Sequence, residues 1–161
     1  MENDTKNTAE EMIDVKQIEE CVKTIAEGGT VRDLKGLTDA EMEVIYSMGY
    51  NFYKTGNYED ADKVFRYLVY LDHTCQKYWI ALGSVLQARR IFDQAVTAYG
   101  YAGFLDLNNP KPQYYSAQCF LALGDKASAE SALNALEEFA PKDSPFRAKA
   151  AELRKKINGE G

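Results

Sequence analysis

Apolar residues at Met12, Val15, Ile18, Val22 and Ile25 recur at spacings of three and four, which places them on one side of a helix. Thr8-Ala9-Glu10-Glu11 reads as a capping box that opens this helix, and Gly28-Gly29 ends it. A short helix over Val31 to Lys35, with Gly36 behind it, leads onward. Near the other end Ser144-Pro145 starts a helix to about Ile157, with Phe146, Ala150, Leu153 and Ile157 on one side.

Between these two amphipathic segments the pattern repeats. Gly49, Gly83 and Ala117 are spaced by 83 − 49 = 117 − 83 = 34 residues. Ala61, Ala95 and Ala129 keep the same period, as do Phe65, Tyr99 and Leu133, Phe52, Leu86 and Phe120, and Leu68, Ala102 and Leu136. The small residues predict close helix approach, and the large ones fill the space between. Thr38-Asp39-Ala40-Glu41 caps the first repeat helix, Asn57 can cap its partner, and Asn108-Asn109-Pro110 separates the second repeat from the third. Gly56 and Gly124 suit a left-handed helix terminus inside repeats one and three. Arg90 stands at that column in repeat two, so a different turn is expected there. Trp79-Ile80-Ala81-Leu82-Gly83 matches the W-x-x-L-G signature of tetratricopeptide repeats.

The expected fold class is therefore all-α: three tandem tetratricopeptide repeats with an N-terminal helix and a C-terminal capping helix. Residues 1–37 comprise the acidic N-terminus, the amphipathic helix and the lead-in helix, residues 38–141 the repeats (about 42–75, 76–109 and 110–141), and residues 142–161 the capping helix and tail. A solenoid needs its ends covered, so the N-terminal stripe of Met12, Val15, Ile18, Val22 and Ile25 is expected to pack on its own first repeat, to pair with a second subunit, or both.

In such an array the first helix of each repeat lines the concave face, and residues three or four apart point the same way. Tyr46, Tyr50 and Tyr53 satisfy that spacing; one and two periods on stand Ile80, Ser84 and Gln87, then Tyr114, Gln118 and Leu121. These nine are the candidate peptide-binding residues, offering aromatic pockets for apolar anchors together with amides and hydroxyls for a peptide backbone. Packing alone could also account for any one of the tyrosines. Lys54, Lys77 and Lys111 stand at a possible rim.

Composition narrows the function. The chain has 25 acidic and 19 basic residues, net charge −6, which opposes binding to nucleic-acid phosphates. No apolar run approaches the roughly 20 residues of a membrane span, and no basic-then-apolar leader is visible, so a cytoplasmic protein without membrane insertion is expected. Cys21, Cys75 and Cys119 lack metal or disulfide spacing and are expected to be buried thiols. His73 near a turn has no evident cysteine partner, and Glu59-Asp60 with Asp62, and Glu137-Glu138, read as solvated faces. No enzymatic site, metal or cofactor is expected.

Gly28-Gly29-Thr30-Val31-Arg32-Asp33-Leu34 ahead of the repeats is similar to the lead-in of the class II chaperones of bacterial type III secretion systems. Tyr46, Gly49-Tyr50, Phe52-Tyr53, Gly56, Ala61, Phe65-Arg66, Leu68 and Asp72 continue the resemblance, followed by Tyr78, Leu82-Gly83, Gln87, Phe92-Asp93-Gln94-Ala95, Tyr99 and Gln118-Cys119. The resemblance implies a cytoplasmic chaperone for hydrophobic translocator proteins. It would hold extended cargo segments in the concave face, dimerise through the N-terminal helix or first repeat, and in some members assist a transcriptional activator. A general tetratricopeptide adaptor for another peptide or protein is the alternative.

Overall fold

The computed structural model describes residues 15–159. Met12 and the Thr8–Glu11 capping box lie outside them. Helices run in the order α1 (Val15–Ala26), α2 (Val31–Lys35), α3 (Asp39–Lys54), α4 (Tyr58–Leu71), α5 (Gln76–Ala88), α6 (Phe92–Leu105), α7 (Pro110–Ala122), α8 (Lys126–Phe139) and α9 (Pro145–Asn158). From α3 to α8 each helix packs on the next, so α3–α4, α5–α6 and α7–α8 form three stacked antiparallel hairpins.

Starts and stops follow local chemistry. The Thr30 and Thr38 hydroxyls accept from the amides of Asp33 and Glu41, whose carboxylates accept the cap amides in return. Asn57, Asn109, Asp125 and Ser144 cap α4, α7, α8 and α9. Inside each hairpin the chain turns through one left-handed residue, Gly56 (φ 79°), Arg90 (φ 62°) or Gly124 (φ 80°). In all three turns that residue's amide donates three residues back, and the next amide five back; for Arg90 and Ile91 these bonds are 3.0 Å to Gln87 O and 2.9 Å to Leu86 O. The different turn expected at Arg90 is therefore absent. The two backbone bonds and the packed hairpin hold an ordinary side chain in a conformation that favours glycine.

The small columns act as expected. A Cβ on Gly49 would lie 2.9 Å from Val64 Cγ1, and one on Gly83 would lie 2.6 Å from Tyr99 Cε1. Phe65 and Tyr99 fill those spaces and are buried, as are Ala61, Ala95 and Ala129. One core joins α3 through α6 and reaches Cys119; a second joins α7, α8 and α9 around Leu133, Leu136 and Leu153. Burial of each large apolar side chain here contributes about 1.5–3 kcal/mol.

Three expectations change. Asp62 is buried, not solvated: its carboxylate accepts from Arg66 Nε at 2.6 Å and pairs with Arg89, while Arg66 also donates to Gln94 at 2.7 Å, so one acidic side chain ties repeat one to repeat two. The carboxylate of Glu137 is likewise engaged, by Arg154. Cys119 is buried and its thiol is pushed up to about 12 by desolvation, but Cys75 is half-buried and Cys21 exposed. Cys21 shares the exposure of its helix.

The ends differ. Ala150, Leu153 and Ile157 of α9 are buried in the second core. Val15, Ile18, Val22 and Ile25 of α1 are 66, 47, 62 and 58% exposed, so the stripe does not pack on its own first repeat. Gly28 (φ 84°) turns the chain out of α1, and the Thr30 capping box fixes the next helix independently of it.

A candidate peptide-binding groove

Helices α3 and α5 both line a groove, beside the faces on which Gly49 and Gly83 let each approach its own partner helix. Tyr46, Tyr50 and Tyr53 from α3 and Ile80 and Ser84 from α5 line one cavity of about 350 Å³, with Phe65, Gln76, Lys77, Ala81, Asn109 and Lys111. A second cavity of about 320 Å³ shares Tyr53 and Ser84 and adds Gln87, Ala88, Tyr99 and Tyr115. Together they make a path running from the first repeat toward the third.

Each wall is braced. The Tyr46 ring stands edge-on to Phe65 at 5.5 Å and lies 6.1 Å from Tyr78. Lys77 Nζ sits 3.7 Å from the Tyr46 ring centroid, a cation–π distance. Tyr53 packs on Tyr58 at 5.5 Å, whereas Tyr50 is 47% exposed. Tyr46 and Tyr53 therefore serve packing and groove at once, and Tyr50 belongs to the groove wall. Burial raises the phenol pKa of Tyr46 and Tyr53 and pushes Tyr78 up to about 12, so these hydroxyls stay protonated at neutral pH.

The groove floor is a hydrogen-bond relay. Buried Tyr99 donates its hydroxyl proton to Gln87 Oε1 at 2.9 Å, and Gln87 Nε2 donates to Gln118 Oε1 at 3.1 Å. Gln87 is thereby oriented by the core residue Tyr99, and Gln118 by Gln87. At the other wall Gln76 Nε2 donates to Ala102 O (2.7 Å) and Gln76 Oε1 accepts from Asn109 Nδ2 (2.7 Å), fixing the start of α5 against the end of α6 and the start of α7.

Of the nine residues expected from the spacing, Tyr46, Tyr50, Tyr53, Ile80, Ser84 and Gln87 line these two cavities, and Gln118 joins them through Gln87. Tyr114 and Leu121 do not. Tyr114 packs edge-on to Phe146 of α9 at 5.4 Å, and Leu121 packs into the second core, because α9 covers that part of the third repeat. The ring that lines the groove there is Tyr115, stacked 5.7 Å from Tyr99. Its column, one residue past Tyr114, also contains the groove residue Ala81, and that shared register was the available signal.

These side chains supply rings, amides, hydroxyls and two ammonium groups: a surface for gripping a chain. Hairpins at a constant period with such a groove define a tetratricopeptide-repeat protein, and tetratricopeptide-repeat family models match residues 42–74 and 113–143. The low calcium response locus protein H of Yersinia pestis is 35% identical over 120 residues, 74% of this chain and 71% of the relative. The Yersinia enterocolitica type III secretion chaperone SycD, solved in complex with a peptide of the translocator YopD, superposes with a TM-score of 0.71 at 30% identity, covering 77% of this chain and 97% of SycD. SycD has also been solved as an alternative dimer. PcrH in complex with the chaperone-binding region of PopD gives a TM-score of 0.68 at 32% identity, covering 78% of this chain and 94% of PcrH; PcrH has also been solved with the corresponding region of PopB. The chain belongs to the tetratricopeptide-repeat translocator chaperones of type III secretion systems.

Proposed function

We propose that this chaperone binds extended segments of hydrophobic translocator proteins in the groove of Tyr46, Tyr50, Tyr53, Ile80, Ser84, Gln87 and Gln118, keeping them soluble and apart in the bacterial cytoplasm until secretion. The observation that carries this reading is the pair of adjacent aromatic cavities sharing Tyr53 and Ser84. An extended segment has unpaired backbone groups and alternating side chains. Rings that take apolar anchors, next to oriented amides, suit it. The SycD–YopD and PcrH–PopD complexes support the class of cargo. No helix among the described residues is long and apolar enough to cross a membrane.

The proposed division of labour follows the chain. Residues 38–141 bind, residues 142–161 cap, and α1 supports a homodimer through Val15, Ile18, Val22 and Ile25, with Met12 as the preceding position of the same stripe. An open surface on α3 around Val44 (71% exposed) and Met48 (47% exposed) is a suitable companion for that stripe in a second copy.

Coexpression with a translocator from the same locus tests the function. Wild-type chain should keep the translocator soluble, and Tyr50→Ala should weaken capture about tenfold or more with little change in melting, since Tyr50 is the most exposed of the three tyrosines. Insoluble translocator with wild-type chain, or undiminished capture by Tyr50→Ala, would count against the groove.

A further inference from the structure

Glu43, Lys77 and Lys111 share one register: 77 − 43 = 111 − 77 = 34. Each stands three residues before a position of the Tyr46, Ile80 and Tyr114 column, on α3, α5 and α7 respectively. Stacking the hairpins therefore sets the three charges in one row, with Lys77 and Lys111 on the groove wall and Glu43 at its outer edge. Lys77 Nζ lies 2.8 Å from Glu43 Oε2. Lys77 and Lys111 both line the larger cavity, and they are the only charged residues that do; the lining of the second cavity carries no charge.

The ladder has one cation more than it has anions. Lys77 is matched by Glu43, while the ammonium of Lys111 makes no ion pair among the described residues. Nearby polar groups are engaged elsewhere. Asn109 Oδ1 accepts the Lys111 backbone amide at 3.1 Å, and Asn109 Nδ2 donates to Gln76. A protein of net charge −6 thus presents a locally positive end to its groove.

We infer that this ladder reads one acidic side chain in the bound segment. A peptide whose apolar anchor sits among Tyr46, Tyr50 and Ile80 places an Asp or Glu, within a few residues of that anchor, against Lys111 with Lys77 behind it. The carboxylate belongs to an internal residue, because the path continues past Tyr53 and Ser84 into the second cavity and gives the chain room to run on. Glu43 sets the selectivity: by neutralising Lys77 it limits the ladder to a single unmatched positive charge. The inference rests on the groove reading above and adds to it the sign of the cargo at one position.

The test uses the full chain and fluorescently labelled, C-terminally amidated peptides of the chaperone-binding regions of PopD and PopB and the SycD-bound peptide of YopD. Aspartate, and in a parallel set lysine, is walked through each position. Dissociation constants are read by anisotropy in low salt. Aspartate at one position, or two neighbouring positions, should tighten binding about three- to fivefold, the size of an exposed ion pair, and lysine there should weaken it. The gain should vanish in Lys111→Ala, grow in Glu43→Gln, which releases Lys77, and shrink at 0.5 M salt. A flat aspartate profile, or a gain that survives Lys111→Ala, overturns the inference while leaving the groove intact. A gain that appears only when the peptide carries a free C-terminus overturns it in favour of terminal-carboxylate capture. Failure of all three unmodified peptides to bind defeats the groove reading itself, and the inference with it.

Discussion

The two terminal helices carry the same kind of sequence and meet opposite fates. Both α1 and α9 bear an apolar stripe at spacings of three and four. The α9 stripe is buried, and two arginines hold it in place: Arg147 donates to the carbonyls of Glu137 (2.6 Å), Ala140 (2.7 Å) and Pro141 (3.0 Å), and Arg154 reaches Glu130, Asn134 and Glu137. The α1 stripe is exposed along its length. An amphipathic pattern states which face seeks cover. What covers it depends on the connection and on polar anchors, and here α9 has both while α1 leaves through a glycine turn.

The largest expected effect breaks the comparison directly. Leu153→Asp puts a charge into the second core and should cost about 3 kcal/mol or more in chemical denaturation. Val22→Asp should leave the monomer's stability within about 0.5 kcal/mol, and any loss should depend on protein concentration and appear as monomer in light scattering. An equal, concentration-independent loss from both substitutions would mean that α1 packs on its own chain. Arg154→Ala should cost about 1–2 kcal/mol with only partial rescue by Lys, which cannot fork between Glu130 and Glu137; an undiminished midpoint would show that apolar burial alone docks α9. Between the two ends, Arg90→Gly relieves a left-handed side chain without changing any packed group and should stabilise by about 1 kcal/mol, raising the urea midpoint.

The smallest effect lies at the N-terminal end. Hydrogen bonds from the Thr38 amide and hydroxyl hold the Glu41 carboxyl below its ordinary range, so folding favours its ionised form. That contribution is full above the ordinary carboxylate range and drains away as pH falls through the lowered folded value. Thr38→Ala should flatten the acid limb of the stability curve; an unchanged limb would remove this cap from the account.

Much of the fold was legible because it is periodic. Gly49 and Gly83 mark close approach, since even a Cβ there would run into Val64, Phe65 or Tyr99, and the alanine columns are buried beside them. The groove was legible as far as its walls lie on the first two repeats. At the third repeat the same arithmetic selected Tyr114, and α9, a non-repeating element, takes that ring for its own packing and leaves Tyr115 to the groove. Asp62 differs from its expectation for a related reason: Arg66 stands four residues on along the same helix, but burial of the carboxylate depends on Arg89 at the end of α5, and a run of acidic residues on one helix carries no sign of a cation arriving from another.

The sequence by itself determined the all-helical repeat, its caps, its two amphipathic ends and its resemblance to the secretion chaperones, because those follow from spacing and side-chain size within single helices. Only the tertiary structure decided that α9 is covered and α1 is not, that Arg90 is held left-handed, that Tyr115 replaces Tyr114, and that Glu43 pairs with Lys77 while Lys111 on the same groove wall is left unmatched. The 34-residue interval places Arg90, Tyr115 and the three charges in their columns, but which of them is covered, bonded or left unmatched depends on which side chains meet in space, and no interval along the chain encodes that.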